Sequence, residues 1–147
     1  MTVVDDLYRA VVLEHGKRPR HRGPLPNATH VAEGDNPLCG DAIRVEVSLR
    51  DDTLAAVGFT GESCAIGTAS ASLMCEHLAG RSMGAALRLA AAMDALCAQG
   101  AADDPEGLGD LVAFADVHRH PVRVSCALLA WRVLRRALSV GAVARPG

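Results

Sequence analysis

Between Ala42 and Thr60 the sequence dictates an antiparallel hairpin. Ile43, Val45, Val47 and Leu49 alternate with Arg44, Glu46, Ser48 and Arg50, the pattern of a strand with one wet face. Asp51-Asp52 supplies the reversal, and Thr53 to Thr60 supplies a second, less regular strand in which Gly58 marks a bulge. The pairing puts Cys39, just before the first strand, roughly opposite Cys64, just after the second. From Ala65 the period turns helical. Ala65 to Met74 is rich in small residues, which predicts a helix packed close to other backbone.

The flanking segments extend this frame. Val4, Leu7, Tyr8, Val11 and Val12 recur at helical spacing, with Thr2 and Asp5 as a capping-box start and Gly16 as the stop. Lys17 to Asn36 is Pro-rich and irregular, with a short edge strand at His30 to Glu33. Arg81 to Gln99 is a second long helix, with Leu87, Ala90, Ala91, Asp94 and Cys97 along one stripe. A polar loop, Gly100 to Gly109, leads to a short helix at Asp110 to Val117. Pro121 precedes a final helix, about Arg123 to Leu138, with Cys126, Ala130, Val133 and Ala137 on one side. No repeat or linker interrupts the 147 residues. The expectation is one domain over residues 1–147, of α+β class, with a small antiparallel sheet of about three strands against several helices.

Bulk properties exclude several functions. A formal net charge of −2 and 3% aromatics leave no electrostatic or stacking case for nucleic acid. No uncharged apolar run reaches membrane-spanning length, and Asp5, Asp6 and Glu14 exclude a signal peptide's apolar stretch. A cytoplasmic location is expected, where five cysteines indicate metal binding, sulfur chemistry or burial in preference to disulfides. Lys17, Arg18, Arg20, His21 and Arg22 form a basic knot, and Asp94, Asp103, Asp104, Glu106, Asp110 and Asp116 an acidic segment. Such clusters are solvated faces and loops, or a docking surface for a partner protein.

Three thiols, Cys39, Cys64 and Cys126, with the Asp41 carboxylate, make a four-ligand cage for zinc or a cradle for iron and sulfide. Gly40 lets the backbone turn so that Cys39 and Asp41 converge. Cys64 and Cys126 fall near helix N-termini, where free N–H groups favour thiolate. Three thiolates and a carboxylate around Zn²⁺ leave a net −2, and Arg123, one turn before Cys126, is the compensating cation. Against this stands the ordinary fate of isolated cysteines, burial as small apolar residues, which is the reading for Cys75 and Cys97. A Cys–His hydrolase built from Cys39 or Cys64 with His118 or His120 has no supporting local pattern, and Gly61 to Gly67 lacks the lysine of a phosphate-binding loop.

Several motifs, in order, cover nearly the whole chain. They are Leu7-Tyr8-Arg9, Arg18-Pro19-Arg20-His21-Arg22-Gly23, Asn36-Pro37-Leu38-Cys39-Gly40-Asp41, Gly61-Glu62-Ser63-Cys64, Thr68-Ala69-Ser70-Ala71-Ser72, and Pro121 through Trp131 around Cys126. Together they resemble the SufU/IscU-type iron–sulfur assembly family, to which NifU amino-terminal domains are related. The long segment between the second and third cysteines, with Leu108-Gly109-Asp110, resembles the SufU branch. Ser125 stands where IscU proteins carry histidine and SufU proteins often carry lysine, a departure from both. The resemblance implies a zinc site of Cys39, Asp41, Cys64 and Cys126, with an iron–sulfur cluster on the same ligands as the alternative. It also implies that a SufS-type cysteine desulfurase hands persulfide sulfur to Cys39, and that downstream iron–sulfur assembly proteins receive it. On charge grounds, Arg123 is expected to guide the anionic persulfide as well.

Overall fold

The structure, a computed structural model, describes residues 3–102 and 105–139, with side chains over 6–102 and 107–139. The Thr2–Asp5 capping pair and the side chains of Asp103, Asp104 and Glu106 lie outside the described residues. Helix α1 spans Val3–Lys17 and is followed by strands β1 (His30–Asn36), β2 (Asp41–Arg50) and β3 (Thr53–Glu62). Helices α2 (Ala65–Leu78), α3 (Met83–Gln99) and α4 (Pro105–Leu108) come next, then 3₁₀ turns over Gly109–Arg119 and helix α5 (Pro121–Ser139). The strands form one antiparallel sheet in the order β1-β2-β3. This is the expected α+β architecture, with β1 running three residues past the edge strand read from sequence and 3₁₀ turns in place of the short helix.

The hairpin reverses where the sequence places it. Asp51 and Asp52 take φ of 50° and 67°, the mirror-image turn whose twist suits paired strands. The bulge lies elsewhere: Ser48 pairs with Ala56 but Leu49 with Leu54, so Ala55 is the extra residue. Gly58 answers a different need. A Cβ there would come within 2.9 Å of the Gly23 carbonyl oxygen, because residues 21–23 run along the free edge of β3. Phe59 donates its N–H to the His21 carbonyl, and Gly23 donates to the Phe59 carbonyl. At the other end of β3, Leu54 donates to Arg81 and accepts from Gly80. Both ends of that edge are thereby occupied, which removes a template for stray strand pairing.

Ile43, Val45, Val47, Val57 and Phe59 turn inward beneath α2 and α5. The small residues of α2 explain how close the layers come. Ala69 to Met74 are all buried, and Ser70 donates to the Ala127 carbonyl while accepting from Trp131 Nε1 at 3.1 Å. Gly16 does not end α1, which continues to Lys17; it faces Ala65 at the start of α2. The buried stripe of α3 is Ala86, Leu89, Ala90, Met93, Leu96 and Cys97, whereas Leu87 and Ala91 are exposed. An alanine-rich helix is apolar on several sides, so its phase is set by packing and not by pattern. The basic knot is partly tied down, with Arg18 and Arg20 paired to Glu14 and Arg22 donating to the Gly61 carbonyl. Among the described residues no helix is long and apolar enough to cross a membrane.

Candidate metal centre

The register that ends with Ala42 opposite Glu62 brings the β1–β2 turn beside the β3–α2 junction, and α5 closes over both. Cys39 lies in the turn, Asp41 opens β2, Cys64 is the N-cap of α2, and Cys126 occupies the second turn of α5. Asn36 builds the turn: its carbonyl accepts from Cys39 and Gly40 N–H at 3.2 and 2.9 Å, and its Oδ1 accepts from Leu38 N–H at 3.1 Å. Gly40 takes φ of 73°, a left-handed conformation that permits the turn expected there. Cys39 is half-buried at the end of this scaffold, next to an exposed Leu38.

The Sγ atoms of Cys39 and Cys126 are 3.2 Å apart, and ligand atoms of Cys39, Asp41 and Cys126 all lie within 4.8 Å of one another. Cys64 falls outside that mutual limit but stands beside the group, since its thiol acts on Cys126. Asp41 is buried. Its Oδ1 accepts from the Cys64 N–H at 3.0 Å, and its Oδ2 has no hydrogen-bond partner among the described residues. The Cys64 sulfur accepts from the Gly67 N–H at 3.4 Å, so this thiol performs the capping that a serine hydroxyl performs elsewhere.

Cys126 departs from expectation in one respect. Because α5 begins at Pro121 and not at Arg123, the Cys126 N–H falls inside the helix ladder and is not a free donor at its mouth. Burial pushes the Cys126 thiol up, and the neighbouring Cys39 and Cys64 thiols push it further. Without a cation, this sulfur stays protonated at neutral pH. Ser125 before it lines a cleft of about 340 Å³ between β1 and α5, with Asn36, Pro37 and Arg132.

The donor set fits a soft divalent cation. A tetrahedron with metal–sulfur bonds near 2.3 Å has edges of roughly 3.7 Å, so the thiol pair and the carboxylate need only small shifts to share an ion. The buried, unpaired Oδ2 of Asp41 is the sharpest indication, because an orphaned carboxylate oxygen in a protein interior is costly until something pairs with it. The same three sulfurs also suit iron and sulfide.

The other predicted residues take different places. Arg123 is exposed in the first turn of α5. Cys75 and Cys97 are buried within α2 and α3; burial pushes the Cys97 thiol up to about 12 and Cys75 higher still. His118 bonds the Ala115 carbonyl at the end of the 3₁₀ turns and, like His120, stays out of the cluster.

Beyond Asp41, sequence reasoning did not anticipate which polar atoms the fold leaves unpaired. Among the described residues, the buried side-chain N and O atoms without partners are Tyr8 Oη, Asn36 Nδ2, Asp41 Oδ2 and Ser63 Oγ. A Cβ on Gly67 would collide with Ser63 Oγ and come within 3.2 Å of Asp41 Oδ2, so that glycine keeps space open beside the carboxylate. Tyr8 reads as a core position of α1, and only the fold reveals that its hydroxyl is buried without a partner among the described residues.

A family profile described as NifU-like N terminal domain matches residues 7–140. The chain is 36% identical over 136 residues to the zinc-dependent sulfurtransferase SufU of Bacillus subtilis, covering 92% of each chain. It is 34% identical over 145 residues to the iron–sulfur cluster assembly scaffold protein IscU of Streptococcus pyogenes, covering 99% of this chain and 91% of that one. A crystal structure described as a candidate SUF-system iron–sulfur assembly scaffold from Fervidobacterium islandicum superposes with a TM-score of 0.84 at 32% identity, over 91% of this chain and 98% of that one.

Proposed function

Because the chain belongs to the NifU-like N-terminal domain family, we propose that it serves iron–sulfur cluster assembly as a zinc-dependent sulfurtransferase, taking persulfide sulfur from a SufS-type cysteine desulfurase. The observation that carries this reading is the asymmetry of the thiols. Cys39 is half-buried in a turn beside exposed Leu38 and Gly40, whereas Cys126 is buried in α5 and Cys64 is committed to capping α2. The ligand set is Cys39, Asp41, Cys64 and Cys126. Bound zinc holds its thiolate ligands deprotonated at neutral pH, where a free cysteine of pKa about 8.5 is mostly thiol.

Cys39 is the ligand the fold releases most readily, since moving it disturbs a turn and no helix. Its thiolate attacks the terminal sulfur of the donor persulfide. The donor's S–S bond breaks as a new one forms on Cys39, and the donor cysteine leaves as thiolate, so no outside electrons are needed. Exposed Arg123 draws the anionic persulfide toward the mouth of the site.

The likeness to a scaffold-named relative supports a second reading, in which the same three thiolates hold a [2Fe–2S] cluster. Metal analysis combined with desulfurase turnover separates the two. The sulfurtransferase reading predicts one zinc per chain and faster turnover of the desulfurase, abolished in Cys39→Ser. Arg123→Ala should slow sulfur acceptance, and flatten its salt dependence, with little change in stability. A chain that leaves turnover unchanged, yet assembles a cluster and passes it to an apoprotein, would establish the scaffold instead.

A further inference from the structure

Strand pairing leaves one side of β1 unused, and its phase follows from the far edge of the sheet. Phe59 gives its N–H to His21 and its carbonyl to Gly23, so it faces away from β2, and its neighbours Gly58 and Thr60 bond to Glu46 and Arg44. The same alternation turns Ile43 and Val45 toward β1, where they meet Gly34 and Ala32. Val31, Glu33 and Asp35 therefore direct their N–H and C=O groups out of the sheet. Arg136 Nη1 agrees with this phase, since it donates to the Glu33 carbonyl at 2.6 Å. No strand or loop among the described residues bonds to this edge, whereas the β3 edge is occupied at both ends. An open edge is a template for another chain.

The edge forms one wall of a cleft of about 340 Å³, and Ser125, Leu129, Arg132 and Arg136 of α5 form the other. Its two faces differ in charge. A Cβ at Gly34 would point at Val133, so Glu33 and Asp35 project to the opposite, wet face. Glu33 is paired with Arg44 at 2.8 Å, and Asp35 is exposed with no ion pair among the described residues. On the helix side Arg132 is likewise exposed and without an ion pair among them. A second copy of this chain fits badly, because antiparallel pairing of two β1 strands about Glu33 sets glutamate against glutamate. We propose that this edge docks an extended segment of a partner protein as a fourth strand, with lysine or arginine beside Asp35 and acidic or small apolar side chains toward Arg132 and Leu129. In strand addition the main-chain bonds supply affinity and the alternate side chains specificity. The cleft ends at Asn36, Pro37 and Ser125, next in sequence to the Cys39 turn and to Cys126, so a partner held there adjoins the metal centre without using its ligands.

The probe is a synthetic octapeptide with lysine at every second position and glutamate or valine between. Titrated into the ¹⁵N-labelled chain, it should shift the amide signals of Val31, Glu33 and Asp35 and of the Ser125–Arg136 stripe, saturably. The same peptide N-methylated at alternate residues, along the side that faces β1, should bind about 10-fold more weakly or worse. So should the unmodified peptide against Asp35→Pro. Residue 35 turns its N–H outward, so proline there removes no bond of the sheet. Arg132→Glu leaves the strand untouched and should also weaken binding, which keeps the test open if Asp35→Pro fails to fold. Equal affinity for the N-methylated peptide, the mark of charge attraction alone, would overturn the proposal. So would the absence of a saturable shift, shifts confined to other surfaces, or a concentration-dependent dimer that pairs through β1.

Discussion

Asp41 and Cys64 each hold the fold and the site at once, and a substitution can separate the two duties. Asp41 fixes the Cys64 backbone through Oδ1, and its unpaired Oδ2 is the atom that would meet an ion in the proposed site. Cys64 caps α2 through Gly67 and, in the proposed ligand set, would offer its sulfur to the centre. Serine is a good N-cap and a poor zinc ligand; alanine is neither. Cys64→Ser should therefore keep the metal-free stability within about 0.5 kcal/mol, whereas Cys64→Ala should lose about 1 kcal/mol. Both should lose tight zinc binding and the stabilisation that zinc confers. Urea titration with and without chelator reads each quantity. Zinc retained at full stoichiometry by Cys64→Ser would remove this cysteine from the ligand set.

Among the elements, β1 meets α5 at a close contact that the sequence conceals. A Cβ at Gly34 would lie 2.7 Å from Val133 Cγ2. Gly34→Ala should force strand and helix apart, costing about 1–3 kcal/mol. The accompanying shift of α5 should also carry Cys126 away from Cys39, so zinc affinity should fall with stability. A stability within 0.5 kcal/mol of wild type by urea titration, roughly the level of a neutral surface change, would mean the contact is slack. The hairpin, α1 and α5 were legible because alternation and helical spacing are local signals, and Asp51-Asp52 marks its turn outright. The phase of α3, the role of Gly58 and the length of β1 were not, since each is decided by a segment distant in sequence. Gly58 shows this best: its neighbour is the carbonyl of Gly23, which no pattern around residue 58 can reveal.

For the molecule as a whole, the sheet and the two helices packed on it serve to bring three separated stretches of chain to one corner. The strand register alone accounts for Cys39, Asp41 and Cys64 as neighbours, so that part of the site could be read from the hairpin. Cys126 could not be placed by spacing, because its approach depends on α5 packing across β1, β2 and α2. Tyr8, Asn36 and Ser63 were hidden for the same reason, their relevance lying in unpaired atoms and not in residue type. The fold also sorts the five cysteines by reach. Cys75 and Cys97 are buried with thiols pushed far above neutrality, Cys126 is buried in α5, and of the two half-buried cysteines Cys39 lies in a turn while Cys64 caps α2. The most direct test is mass spectrometry of zinc-loaded protein after incubation with a cysteine desulfurase and free cysteine, followed by digestion under non-reducing conditions. The extra sulfur should appear on the peptide containing Cys39, with Cys75 and Cys97 unmodified and no acceptance in Cys39→Ser. Persulfide found mainly on Cys64 or Cys126, or undiminished acceptance by Cys39→Ser, would contradict the account.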